Sequence, residues 1–556
     1  MLIIINISQL VLWPRSTLKP DDHVDAEKLK QLVTLGQLCR SWRDVSQSII
    51  HRKYIYSAPR YLRPLPRVVT KRDELVTGYV LDSLHIGYVR HLYLNLYNMD
   101  LFTDKHGPLF IGTPLFATNI CFHAVRAITI ACMQGDDIPN ANSEASQAAS
   151  LLSAKRIREL APNAHTIVFD VNFSNDTGRY GPDLWDIVNQ FIAHLCMGKQ
   201  TVELLVRSTY HLPQEPTCIP SNITDLTIYW NEGNAQDATA LMHLNAKQLL
   251  RLTLTKVKTN DFHRLLIASE GQNVTYTNLA SLRIMLQQQS YEIPENRPTF
   301  EPTVVPFPKL ARLYIESLYP FGDDVVFRGN MGTLRSMCIR TNEATLAMLN
   351  TAKTFARGRF TALQTAKLHS YMDAIESTHT SWLREYIRFF ECIHQRVENL
   401  QVVFGEAGRR LLARMHRGLE FAMLRQLDIC EAHLSLRDVL RTLKAVPALQ
   451  RLRSRLAAVP TFLSTAQNAS RVAGFCQKHR NAGARFQQWD IYYGEARPDT
   501  SYSSVYAAFL AVVCPHFVCL RVQQKSHDKH CAGIAALQRT TFGAYAARLQ
   551  RLLVSV

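Results

Sequence analysis

The chain has 556 residues, 47% of them apolar, which is enough to bury a large core, and it carries a formal charge of +17. Its twelve cysteines are scattered singly. That usage fits reduced thiols in an intracellular chain, cytoplasmic or nuclear, better than a disulfide scaffold. The opening Met1 to Ile7 is apolar but has no basic flank and meets Trp13, Pro14 and Arg15 too soon to span a bilayer. Neither a signal peptide nor a membrane partner is expected.

Residues 1–27 define no element. Over residues 28–58, Leu29, Leu32, Val33, Leu35, Leu38 and Trp42 recur at helical spacing, and the segment runs through Cys39, Arg43 and Val45 to the strand-like Tyr54, Ile55 and Tyr56. Pro59, Pro64 and Pro66, interleaved with Arg60, Arg63 and Arg67, mark an extended connector over 59–88.

From residue 89 to the end one spacing keeps returning: an apolar residue, two free positions, an apolar residue, one free position, an apolar residue, as in Leu310, Leu313 and Ile315. Copies start at residues 89, 125, 164, 223, 249, 279, 310, 334, 363, 397, 424, 486, 517 and 549. The last four residues of each copy alternate like a strand with one buried face, and the leading residue belongs to the turn that feeds it. Starts from 223 to 424 lie 24 to 34 residues apart, room for one strand, one return helix and two turns. Such a unit cannot bury its own apolar face and stacks on its neighbours.

Return helices are expected over Ser143 to Leu160, with an apolar face of Leu151, Leu152, Ile157 and Leu160, over Leu184 to Met197, and over Ser381 to Val397. Two stretches break the pattern. At Val202 and Leu205 the third apolar position is Arg207, a weakened strand; from 430 to 485 the leucines read as helix, with no clear strand before Phe486. The polar or Pro-containing loops 136–142 and 287–304 are surface insertions.

This array resembles the leucine-rich-repeat family over roughly residues 89–556, with the family's asparagine after the strand mostly missing and Asn231 an exception. The resemblance implies an irregular α/β solenoid, with parallel strands on a concave side and helices on the convex side. Residues 28–56 resemble the C-terminal half of an F-box, in which a Leu-rich helix runs into a Val-Cys-x-x-Trp-Arg helix. Residues 1–27 do not supply the Leu-Pro opening of that module. An F-box followed by leucine-rich repeats implies a substrate receptor of an SCF-type ubiquitin ligase. Leu35, Leu38, Cys39, Trp42 and Arg43 would then contact a Skp1-type adaptor, or else Leu38, Trp42 and Val45 seal the first repeat as a helical cap.

Chemistry-bearing motifs are sparse. There is no Gly-rich phosphate loop, His-Glu-x-x-His, nucleophile elbow or Cys-x-x-Cys pair. Cys514, His516, Cys519, His527, His530 and Cys531 include zinc-type ligands at unusual spacing, with Cys519 inside a strand copy. No metal, cofactor or catalytic residue is expected, so the chain reads as non-enzymatic.

What remains is a surface. On the strand positions that alternate with the buried ones, Tyr93, Tyr229, Arg251, Arg283, Arg312 and Tyr314 are the candidate contacts for a protein substrate. Two other readings stand beside the ubiquitin one: an interaction scaffold, and nucleic-acid binding through the basic C-terminal region. Residues 401–556 hold 22 Lys and Arg against 9 Asp and Glu.

Overall fold

A computed structural model describes residues 53–57, 89–97, 121–133, 144–172, 182–207, 210–212, 220–230, 235–257, 266, 273–286, 304–317, 326, 332–341, 360–370, 380–394, 396–403, 405–456, 474, 477–493, 513–514, 516 and 519–524. The chain divides into two compact units, residues 1–279 and 280–556.

In the first unit the strands β1 (Lys53–Ser57), β2 (His91–Tyr97), β3 (Ala127–Met133), β4 (Thr166–Asn172), β5 (Thr201–Val206), β6 (Asp225–Tyr229) and β7 (Arg251–Val257) pair in chain order, every pair parallel. Helices α1 (Glu144–Leu160), α2 (Pro182–Cys196) and α3 (Ala235–Leu244) are crossovers. Parallel neighbours need such returns because a tight hairpin cannot reverse the chain twice.

The second unit repeats the plan. Its strands β8 (Ser281–Leu286), β9 (Arg312–Ser317), β10 (Ser336–Thr341), β11 (Thr365–Ser370), β12 (Asn399–Val403), β13 (Gln426–Leu434), β14 (Arg451–Leu456), β15 (Gln488–Tyr493) and β16 (Cys519–Gln524) also pair parallel in order. Helices α4 (Thr380–Ile393), α5 (Gly405–Met415) and α6 (Leu436–Ala445) supply the described returns. Each unit is therefore a solenoid-like repeat of parallel strands, as the returning spacing predicts.

The core follows from that spacing. Leu92 and Leu94, Ile128 and Ile130, Leu252 and Leu254, Leu313 and Ile315, Leu400 and Val402 are all buried on one face of the sheet. The helices cover this face with residues such as Phe191, Leu241, Phe390, Leu411 and Leu443. A buried side chain of this size contributes roughly 1.5–3 kcal/mol, so a copy holds its place mainly by what its neighbours bury.

Backbone satisfaction is equally periodic. The residue before most of the described strands offers one carbonyl to two N–H groups of the next repeat. Arg90 O accepts from Arg126 and Ala127, Arg126 O from His165 and Thr166, Ala311 O from Arg335 and Ser336, Arg335 O from Gln364 and Thr365, and Arg425 O from Gln450 and Arg451. A turn just upstream is closed by a buried aromatic: Phe122, Tyr276, Phe307, Phe360 and Phe421 each accept from the N–H three residues on. This aromatic is a second periodic signal, three residues ahead of the leading apolar position.

Three expectations differ from the observed chain. The strand at 201–206 is regular rather than weakened: Val202, Leu204 and Val206 are buried, which puts Leu205 and Arg207 on the open face. A strand also exists where only helix was expected. β14 follows α6, its apolar positions being Leu449 and Leu452, with Ser454 in the third. Ser454 is fully buried and is tolerated there because Trp489 Nε1 donates to its Oγ at 3.1 Å. On α1 the buried face runs through Ala154, Ile157 and Leu160, while Leu151 and Leu152 are 38% and 36% exposed.

The array also starts earlier than residue 89, since β1 pairs with β2 in register. Asn231 and the copy at 549 lie outside the described residues, as do Leu35, Leu38, Cys39, Trp42 and Arg43. Asn245 is one asparagine that does organise a turn. It is fully buried after α3, accepts from Ile223 N at 2.9 Å and donates to Pro220 O and Leu241 O.

Candidate functional site

Parallel pairing in register turns the alternate, open-face residues into rows that cross the strands. In the second unit one row reads Arg283, Tyr314, Cys338, Lys367, Gln401, Asp428 and Arg453. A parallel row reads Met285, Glu316, Arg340 and His369. A strand spacing of about 4.8 Å makes neighbours in a row touch.

The contacts are specific. The Arg283 guanidinium lies over the Tyr314 ring, 4.5 Å from its centroid, a cation–π geometry. The Tyr314 hydroxyl donates to Glu316, and Arg340 donates to Glu316 at 3.3 Å and to the Tyr314 oxygen at 3.4 Å. Tyr314, Glu316, Arg340 and His369 are half-buried, whereas Arg283, Arg312 and Lys367 are exposed. Among the described residues the β8–β11 face thus presents Arg283, Arg312, Arg340 and Lys367 with one carboxylate, Glu316, which Tyr314 and Arg340 contact.

The electrostatics follow. Burial, then the Arg340 and Lys367 charges, hold the His369 imidazole below its usual pKa, so it is neutral at physiological pH. Burial and the hydrogen bond to Glu316 push the Tyr314 phenol up. Burial raises the Cys338 thiol against the lowering effect of Lys367, Arg340 and Arg283, which keeps it an un-ionised, weakly nucleophilic group.

The first unit's open face is built differently. Val168, Glu203, Asp225 and Arg251 form one row across β4 to β7, with Asp170 and Arg207 alongside. Arg251 donates to Asp225 and reaches Glu203 at 4.0 Å; Arg207 grips Asp170 in a two-pronged pair at 2.7 and 2.8 Å. Asp170 and Asp225 side chains are only 8% and 6% exposed. Burial, despite Arg251, raises the Glu203 carboxyl, and the Asp225 and Asp170 charges add to the rise. On the same face Lys256 Nζ lies 4.6 Å from the Tyr229 ring centroid.

The residues expected from the sequence are therefore placed as follows. Arg283 and Tyr314 are in direct contact. Arg312 is in register with Ser281 and not with Arg283, so the two arginines sit on different rows of one patch. Arg251 and Tyr229 belong to the first unit, where Arg251 is engaged by carboxylates. Tyr93 is opposite Ile55 and Thr129 in the backbone register. Glu203 and Arg207 escape a reading of the sequence because the alternation at 201–206 runs one residue out of the expected frame; Asp170 and Cys338 fill ordinary alternating positions that the spacing does reveal.

Among the described residues no group of His, Cys, Asp and Glu is arranged to hold a metal ion, and no helix is long and apolar enough to cross a membrane. Cys514 is buried, and His527, His530 and Cys531 lie outside the described residues. No protein-family model and no curated protein matches the chain.

Proposed function

We propose that the chain is a non-catalytic protein-binding adaptor of the F-box and leucine-rich-repeat type, which holds an acidic segment of a protein substrate on the open β8–β11 face. The observation that carries this reading is the network of Arg283, Tyr314, Glu316 and Arg340, bordered by exposed Arg312 and Lys367. Tyr and Arg dominate binding energy where they are pre-positioned and desolvated. Here the tyrosine is fixed from both sides before any partner arrives. The surplus of cations sets the sign of the partner.

In this proposal residues 28–58 dock on a Skp1-type adaptor through Leu35, Leu38, Cys39, Trp42 and Arg43, which makes the chain a substrate receptor of an SCF-type ubiquitin ligase. The test is co-purification of the full chain with a Skp1-type adaptor. Retention that disappears in Trp42→Ala and persists in Arg283→Ala supports the ligase role; no retention by the unaltered chain removes it.

One observation favours a second reading, an interaction scaffold outside the ubiquitin system. The end of the 28–58 segment is already β1 of the sheet, and terminal repeats need an end cap, the role this reading gives to the rest of the segment. In that case the adaptor is not retained, while the Arg283→Ala change still abolishes capture of the acidic partner.

A further inference from the structure

The open face does not account for the charge of the second unit's helical side. On α5 the residues facing the core are Gly408, Leu411, Leu412 and Met415, and Arg409, Arg410 and Arg414 are exposed. On α6 the buried residues are Val439, Leu440, Thr442 and Leu443, and Arg437, Arg441 and Lys444 are exposed. The two helices pack against each other. Lys444 meets His479 at 3.1 Å, which brings exposed Lys478, Arg480 and Arg485 beside α6.

Against Arg414, Arg437, Arg441, Lys444, Lys478, Arg480 and Arg485 the helical layer offers, among the described side chains, Glu420, Asp438 and, on the neighbouring α4, Glu391. Asp438 is already committed: it closes a capping box with Ser435, accepting from Ser435 N at 3.1 Å while Ser435 Oγ accepts from Asp438 N at 3.2 Å. Arg437 and Arg441 are like charges four residues apart on a helix, an arrangement that costs the helix stability.

Charge, shape and composition choose the occupant. A protein partner needs a desolvated apolar or aromatic centre, and lasting adhesion to a bilayer needs apolar side chains inserted among the cations. On α5 and α6 the described residues outside the core between these arginines are small or polar, Ala413 and Ala445 among them, and Met423 in the turn after α5 is a lone exposed large apolar side chain among the described residues of that turn. Stacking on single-stranded bases needs aromatic platforms, which α5 and α6 lack. A phosphodiester backbone needs only positive charge, best supplied by guanidinium forks.

We infer that the helical side of α5, α6 and the 477–485 turn binds the phosphate backbone of a nucleic-acid duplex without reading its sequence. This surface is separate from the β8–β11 face, so either can fail without the other.

The test is fluorescence anisotropy of the full chain with a short labelled duplex of arbitrary sequence over a series of salt concentrations. The unaltered chain is expected to bind at low salt, with log affinity falling linearly against log salt. Joint Arg414→Gln, Arg437→Gln, Arg441→Gln and Lys444→Gln changes should weaken binding roughly ten-fold or more and make the slope shallower by about 0.9 for each phosphate no longer neutralised. Arg→Lys changes at the same arginines should keep the slope, and Arg283→Ala with Lys367→Ala should leave both affinity and slope unchanged. Far-ultraviolet circular dichroism checks that each variant keeps its helices. The inference is overturned if the unaltered chain does not bind the duplex, if the glutamine variant keeps the full slope, if single strands bind as tightly, or if vesicles of anionic lipid are bound with the same dependence on these residues.

Discussion

The two units carry the same architecture and opposite electrostatic solutions. On the first unit's open face Asp170, Glu203 and Asp225 are matched by Arg207 and Arg251 in adjacent positions, so the charges satisfy one another within the sheet. On the second unit's β8–β11 face, among the described residues, a single carboxylate, Glu316, organises Tyr314 and Arg340, and Arg283, Arg312 and Lys367 are exposed. Parallel register makes this contrast possible. A row either closes on itself in ion pairs or keeps one sign, and only the second kind has charge to offer a partner.

Exchanging the signs breaks the comparison most severely. Arg312→Glu with Lys367→Glu should reduce capture of an acidic partner by about ten- to a hundred-fold, read by isothermal titration, because attraction is replaced by repulsion at the same positions. Thr227→Lys with Thr253→Lys on the first unit should leave that affinity unchanged. A comparable change there would show that the charge of the whole chain, and not the patch, governs binding.

Next in size is Arg251→Ala. It takes the guanidinium from Asp225, which is 6% exposed and also accepts from the Thr224 hydroxyl at 3.0 Å. A buried acceptor stripped of a partner costs about 1–3 kcal/mol, so a lower midpoint in urea unfolding is expected. Arg312→Ala, whose side chain is exposed, should leave stability within about 0.5 kcal/mol of the unaltered chain.

The pH dependence separates the units further. Glu203 has a raised folded pKa, so the folded chain holds this proton more tightly than the unfolded one. Stability from this residue is therefore lost as pH rises from the ordinary glutamate value through the raised one. Glu203→Gln should flatten that limb of the unfolding profile and stabilise the chain slightly near neutrality. His369 runs the other way: its pKa is lowered, the unfolded chain takes the proton first, and stability falls as pH drops below the ordinary histidine value. His369→Gln should remove this smaller acid-side slope, measured by thermal unfolding at stepped pH.

Most of the architecture is legible in the sequence because a strand buried on one face must alternate and a stacked repeat must return at regular intervals. Leu310, Leu313 and Ile315 obey both demands. The spacing fails where another interaction replaces an apolar contact. Ser454 hides β14 from a hydrophobic pattern because the Trp489 indole satisfies it, and that partner lies 35 residues downstream. The frame at β5 is easily misread because Leu205, an open-face residue, resembles a core one. Of the candidate patch, Arg283 and Tyr314 can be named as types but not as a pair, since their contact depends on register between strands. The same holds for Glu316 and Arg340, whose joint grip on the Tyr314 hydroxyl emerges only once β9 and β10 lie side by side.

The most direct test places a photo-crosslinking residue at position 312, on the second unit's open face, and in a separate chain at position 227, on the first unit's. After irradiation of the full chain in cells, adduct from position 312 that disappears when Arg283→Ala and Lys367→Ala are added, with none from position 227, is the predicted result. Adduct from position 227 alone, or adduct from position 312 that is indifferent to the removal of Arg283 and Lys367, would contradict the placing of the partner on the β8–β11 face.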